Sequence, residues 1–407
     1  MIHRFGRSAT LLVSALAVTS LAACASSASS PSQGTSKSAG STISIGVSIA
    51  LTGAEATPVV SRGYQEAVSE VNAAGGLLVA GVRHPVNLII LDNRSQDSLL
   101  AQQVHTLVLS DNVVALLAGC CDLNVTEAPL ANALRVPLVA TAVPTELMAS
   151  VNGQYGWDVF SSLAAGNNIL SQVVPSFGKT DGKVALIANN TPEGEGAIAS
   201  DTAAVNAAHF KIVAQALVPT GTTDFSAFIG QAKSNGADNL IAQMPGPDCF
   251  ALWKQMKALD YSPKAAVALQ CGNLDSWESL GTLGNGALMN LNWTPTAGLP
   301  DNAQVAAVFN RIYPNDVGDQ EQAVNGYNAA QVLMSAITRA GSTNAASINT
   351  AIGQTDGAFP LGTVKFDAQH NWGGSSYWGQ WQNLKIVQVY PAVKGVTVEF
   401  PPSGLVS

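Results

Sequence analysis

The chain alternates short apolar runs with amphipathic segments, and it does so twice in succession. The first series opens with Thr42–Ala50 and continues through Val86–Leu91, Val113–Leu117 and Val136–Ala140. Between these runs, Val59–Ala73, Asp97–Ser110 and Thr126–Leu134 space their apolar residues as helices do. Gly75 and Gly76 follow the first of them as a helix stop. The series restarts at Gly182–Ala188 and runs on through strands at Lys211–Leu217, Asn239–Gln243 and Ala265–Leu269. Helices are predicted between them at Gly196–Ala208, Phe225–Asn235 and Phe250–Leu259. Short apolar runs separated by helices imply parallel strands buried on both faces and joined by right-handed crossovers. The predicted fold is therefore α/β, with two similar doubly wound parallel-sheet lobes. Ligands bind such sheets beyond the carboxyl ends of the strands, and a crevice between lobes is a favoured pocket.

The N-terminus addresses the chain to export. Arg4 and Arg7 precede a weakly apolar run, Ala9–Ala23, that is short for a bilayer span. A positive start, a short apolar run and small residues before a cut site read as a secretory signal covering residues 1–23. Leu21-Ala22-Ala23-Cys24 resembles a lipobox, which makes Cys24 the expected lipidated first residue of the mature protein. The alternative is an ordinary signal peptide with a chance cysteine. Residues 24–42 are then the lipidated cysteine and a Ser/Ala-rich stretch too poor in large apolar groups to order itself, a flexible tether.

Composition excludes several function classes. The 27 acidic residues outnumber 19 basic ones, and charged residues make up only 11% of the chain. Nucleic-acid binding needs clustered Lys and Arg, so no such partner is expected. Enzyme motifs are weak. Gly194-x-Gly196-x-x-Ala199 matches a dinucleotide fingerprint in form only, because a polar loop separates it from its strand. Gly178-Lys179-Thr180 has Val173 where a phosphate loop needs its first glycine. No GxSxG elbow occurs, and His84, His105, His209 and His370 are scattered. No catalytic residue, metal or cofactor is expected. Cys249 and Cys271 follow neighbouring predicted strands, so they form either a disulfide or a pair of buried thiols. Adjacent Cys120 and Cys121 are harder to join, because sequence neighbours bring their Cα atoms closer than a relaxed bridge allows.

Several segments, taken in order, resemble the branched-chain amino-acid (Leu/Ile/Val) binding proteins of ABC transporters, which have the type I periplasmic binding protein fold. Ile45–Gly53 is similar to the family's opening strand and Ser/Thr-Gly loop. Gly63-Tyr-Gln-Glu-Ala67 with Val71–Gly76 resembles its first helix and "NAAGG" end. Leu91-Asp92-Asn93, Val136–Ala142, Gly194-Glu195-Gly196, Asp224–Phe228 and Tyr327–Ala330 resemble further segments, so the likeness spans Ile43 to about Gln382. The resemblance implies three crossings between lobes, near Ser161–Ala165, Asn290–Pro295 and Leu361–Val364. One lobe would then be residues 43–162 plus 293–362, and the other 163–292 plus 363–407.

The same resemblance indicates ligand-binding positions. The family's first contact loop falls on Gly119–Thr126, which offers Cys121, Asp122, Leu123 and Asn124. Asp122 either caps the following helix or meets the ligand. Thr141 and Ala142 fall in the second contact loop. Glu193 replaces a frequent aromatic, and is either a solvated loop residue or a cleft residue. Pro245 and Gly246 also stand where the family often has aromatics, and Gln270 lies near its ammonium-binding carboxylate. With Asp122 and Glu193 both in the cleft, a cationic or hydroxyl-rich ligand is favoured. The aromatic stretch Asn371–Trp381 is expected to pack on the second lobe rather than to stack a carbohydrate, and residues 391–407 to add an edge strand.

The resemblance thus implies a monomeric lipoprotein, anchored by its N-terminal lipid to the outer face of the cytoplasmic membrane. It would close on a small polar ligand, an amino acid or a related compound, and hand it to an ABC permease. The other reading is a sensor of the same fold that signals to a membrane receptor.

Overall fold

The computed structural model describes residues 40–406 except Ala54, Cys121, Asp122, Leu274 and Ser375. The signal, Cys24 and most of the tether lie outside the described residues, as do the site candidates Cys121 and Asp122. Residues 40–42, expected at the end of the tether, already lie on the domain. Gly40 N–H donates to the Arg83 carbonyl at 2.7 Å.

Two sheets organise the chain. In the first, strands run in the order 371–373, 156–161, 138–140, 115–117, 43–49, 86–92, all parallel. In the second, the order is 385–390, 377–382, 288–291, 265–269, 239–243, 183–189, 211–218. Its first five strands in sequence are parallel, and the last two are antiparallel additions. Each sheet places its first strand between its second and third, so each has a switch point beside that strand where neighbouring loops diverge. Central strands are buried throughout, as in Ala115–Leu117 and Asn239–Gln243. That accounts for the unbroken apolar runs of the sequence.

Helix Val317–Ala340 is the longest among the described residues and is buried along most of its length. It packs on helix Pro58–Ala73 through two glycines. A Cβ on Gly63 would run into the Ala323 carbonyl, and one on Gly326 into the Val60 carbonyl. Among the described residues no helix is long and apolar enough to cross a membrane.

The third crossing is not where the resemblance put it. Leu361 and Val364 are fully buried in the first lobe's core, on the small hairpin of strands 356–359 and 362–365. Asn371–Gly373 then pairs with the first sheet, and Tyr377–Gln382 joins the second. The chain therefore changes sheet between Gly373 and Tyr377. The tail differs as well. Among the described residues 391–406 there is no strand, and Lys385–Tyr390 forms the sheet edge instead. The aromatic stretch packs inward: the indole N–H of Trp381 donates to the Gly272 carbonyl at 2.6 Å and that of Trp378 to Asn168 at 3.0 Å.

Candidate ligand-binding site

A cavity of about 170 Å³ lies where the carboxyl ends of the two sheets face each other. A void of roughly 150 Å³ is enough for a benzene-sized molecule. The first lobe lines it with Thr57, Cys120 and Ala142, each in a loop beyond a strand. The second contributes Glu193, Gln243 and Gln270. The crossing segments supply Ser161–Leu163, Asn290 and Asn292, and the start of the long helix supplies Glu321, Gln322 and Asn325.

Local sequence explains how Glu193 reaches this place. Helix Pro192–Ala207 starts four residues earlier than its apolar periodicity indicates, because Pro192 takes the first helical position and Thr191 caps it. The Thr191 hydroxyl accepts from Gly194 N–H at 3.2 Å. Gly194 has no Cβ, and one there would collide with the Asn189 carbonyl, so the helix can begin tight against its strand. Glu193 consequently lies in the first turn, where the helix dipole favours an anion. It is 7% exposed, which removes the solvated-loop reading. Its Oε1 accepts from the Gln243 amide and its Oε2 from the Gln270 amide, both at 3.0 Å.

Glu321 forms a second acidic centre, only 2% exposed. Its Oε1 accepts from Asn292 N–H at 3.2 Å and from the Asn325 amide at 2.8 Å, and its Oε2 from the Asn273 amide at 3.4 Å. Burial pushes its pKa up, and these hydrogen bonds pull it partly back.

Ala142 and Gln270 occupy corresponding places in the two lobes, just beyond the fourth strand of each series. Both are left-handed, with φ of 57° and 68°. Non-glycine residues rarely hold this conformation unless the surroundings impose it, and such positions cluster at functional sites.

Of the residues expected from sequence, Ala142, Glu193 and Gln270 line the cavity. Leu123 is in the first lobe's core. Asn124 and Thr141 are fully buried behind the cavity, joined by the Asn124 amide donating to the Thr141 carbonyl at 2.9 Å. Pro245 and Gly246 do not line it, because they begin helix Gly246–Ala258 and turn away. Gln243, two residues before, points in instead. Cys249 and Cys271 are joined as a disulfide and fully buried. Cys120 is also disulfide-bonded, with its partner outside the described residues, so these three are not buried thiols.

The missed residues lie at the ends of elements that face the cavity. Asn290 is near the end of strand Leu288–Leu291, Asn292 is just beyond it, and Glu321 is in the second turn of helix Val317–Ala340. The cluster of Asn290, Asn292, Glu321, Gln322 and Asn325 in segments otherwise rich in apolar residues was the available signal. Among the described residues no group of three His, Cys, Asp or Glu is placed to hold a metal.

Two α/β lobes of like strand order, with a polar cavity between their carboxyl ends, define a solute-binding protein. The chain belongs to the periplasmic binding protein family, whose model matches residues 42–383. It is 25% identical over 352 residues to Leu/Ile/Val-binding protein homolog 2 of Brucella abortus, covering 78% of this chain and 84% of that one. Its fold is similar to a branched-chain amino acid transporter substrate-binding protein of Streptococcus pneumoniae in complex with isoleucine. The TM-score is 0.73 at 20% identity, covering 85% of this chain and 99% of that one. It is equally close to a solute-binding protein of R. palustris in complex with benzoate, with a TM-score of 0.72 at 17% identity, covering 88% and 99%. The family binds solutes and is not enzymatic.

Proposed function

We propose that the chain is the extracytoplasmic binding lipoprotein of an ABC importer, capturing a small polar ligand between its lobes and presenting the closed form to a permease. The observation that carries this reading is the cavity itself, lined from both sheets and from the crossing segments. A ligand there touches both lobes at once and so favours closure. Ala142, Glu193 and Gln270 are its proposed contacts from the sequence-derived set, with Asp122 as a further candidate in the adjoining loop. The lipobox-like Leu21–Cys24 supports anchoring to the outer face of the cytoplasmic membrane through Cys24, and the anchored protein is proposed to be a monomer. The names of relatives leave the ligand open, since isoleucine and benzoate both occur in proteins of this fold.

The test is thermal melting of the purified protein against amino acids, amines, polyols, aromatic acids and a fractionated small-molecule extract. A ligand specific for the folded state at a hundredfold excess over Kd adds about 2.7 kcal/mol. Its binding should also shrink the radius of gyration by solution scattering. No stabilising fraction and no contraction would reject the binding role. For the anchor, Cys24→Ser should move the protein from the membrane to the soluble fraction and abolish the acyl mass. Unchanged fractionation would reject lipidation.

A further inference from the structure

We propose that this cavity takes an organic cation rich in N–H donors, a diamine or a guanidino-amine, with Glu193 and Glu321 as its two anionic poles. The inference rests on the binding-protein reading above and names the ligand class for that same cavity.

The described lining holds two carboxylates and no Lys, Arg or His. Both carboxylates are nearly inaccessible to water, where the local dielectric strengthens attraction to a cation and repulsion of an anion. A ligand carboxylate would have to enter against both. A positively charged ligand enters with them.

The neutral groups are oriented for the same chemistry. A carboxylate only accepts hydrogen bonds, so an amide beside it turns its N–H₂ inward and its carbonyl oxygen outward. Gln243 and Gln270 do this around Glu193, and Asn273 and Asn325 around Glu321. Each acid thereby fixes the direction of its neighbours: these four amides direct their N–H₂ groups to the carboxylates, and Asn325 Oδ1 in turn faces the Asn292 amide.

An independent feature asks for donors. Asn292 is 2% exposed and its Oδ1 has no hydrogen-bond partner. Its own amide N–H₂ is directed at Asn325 Oδ1, 3.4 Å away. Thr57 Oγ1, across the cavity lining on the first lobe, is likewise buried without a partner. Buried acceptors are rarely left unsatisfied, and an ammonium or guanidinium group carries the N–H donors that would complete both. A polyol also supplies donors, but it brings no positive charge to the two carboxylates.

The experiment is calorimetric titration and thermal melting of the purified protein with agmatine, 1,4-diaminobutane, N-acetyl-1,4-diaminobutane, leucine and benzoate, each at 1 mM at most. At least one of the first two should bind and raise the melting temperature by several degrees. Replacing one amine by its acetamide should weaken binding tenfold or more on the unaltered protein. Glu193→Gln and Glu321→Gln should each weaken the cation by tenfold or more. Because either variant also disturbs buried hydrogen bonds, the acetamide comparison decides the matter if one fails to fold. Tighter binding of leucine or benzoate than of either cation overturns the assignment and leaves the binding role intact. Silence of all five probes overturns the assignment too, and the extract fractions then decide the binding role separately.

Discussion

Gln270 holds a left-handed backbone and donates its amide N–H to Glu193 Oε2 at 3.0 Å. This bond ties the loop after one strand to the first turn of a helix two crossovers away, and Gln243 ties a third element to the same carboxylate. Glu193→Ala would leave two amides without their acceptor. A donor left unsatisfied when buried costs about 1–3 kcal/mol. Gln243 is buried and Gln270 only partly so, hence the loss should be about 2–4 kcal/mol in urea unfolding. A loss below about 0.5 kcal/mol, the size of an ordinary surface substitution, would show that the network does not hold these elements.

Glu127 sits fully buried beneath the first contact loop, near the Tyr64 hydroxyl. Burial raises its pKa from 4.5 to about 8, offset only in part by the Gly119 N–H. The folded state therefore keeps this proton to higher pH than the unfolded chain does. Stability from this group is fully present below about pH 4.5 and is lost as pH rises through about 8. Glu127→Gln should flatten that decline. The difference between wild type and variant should grow from pH 5 to 8, with a ceiling of about 5 kcal/mol. Parallel stability curves for the two proteins would refute the assignment.

The Cys249–Cys271 disulfide joins the helix after one strand to the loop after its neighbour, 22 residues on. Cross-linking a loop of this length restricts the unfolded chain by about 3 kcal/mol in the chain-entropy account. Replacing both cysteines by alanine should lower stability by about that amount, and peptide mapping without reductant should recover the linked pair. Free thiols at both positions in the exported protein would contradict the pairing.

The two-lobed architecture was legible because its cause is visible in single segments. A strand buried on both faces must be apolar throughout, and Val113–Leu117 or Ala265–Leu269 cannot be mistaken for a surface ribbon. Helix starts were less legible. At Pro192 and Gly246 the first turn is built from Pro, Gly and acidic residues that carry no apolar period, so sequence placed those helices four residues late. That shift hid the burial of Glu193; Pro245 and Gly246, which the resemblance put in the site, begin a helix instead, and Gln243 lines the cavity. The third crossing was misplaced for a different reason. Strand Asn371–Gly373 is three residues long, and its membership in the first sheet is fixed by contacts with Gly156–Ser161 far away in sequence. The polar cluster around Glu321 was visible but not its role, which depends on where the long helix begins relative to the opposite lobe.

Gly63 and Gly326 set the spacing between helices 58–73 and 317–340, and the second helix carries Glu321, Gln322 and Asn325 to the cavity. Backbone meets backbone at both glycines, so an added side chain cannot be accommodated by a rotamer change. Gly326→Val should push the long helix off its partner, at a cost of about 1–3 kcal/mol or more from overpacking. It should also weaken ligand binding, although Gly326 itself does not line the cavity, because Asn325 and Glu321 move with the helix. Exposed Gly230, with open space around its Cβ position, is the control, and Gly230→Ala should stabilise its helix by about 0.5–1 kcal/mol. Chemical denaturation together with ligand titration separates the two effects. A Gly326→Val protein that loses stability yet keeps wild-type affinity would show that the helix start is fixed by Glu321's own hydrogen bonds to Asn292, Asn325 and Asn273, independently of the glycine contact.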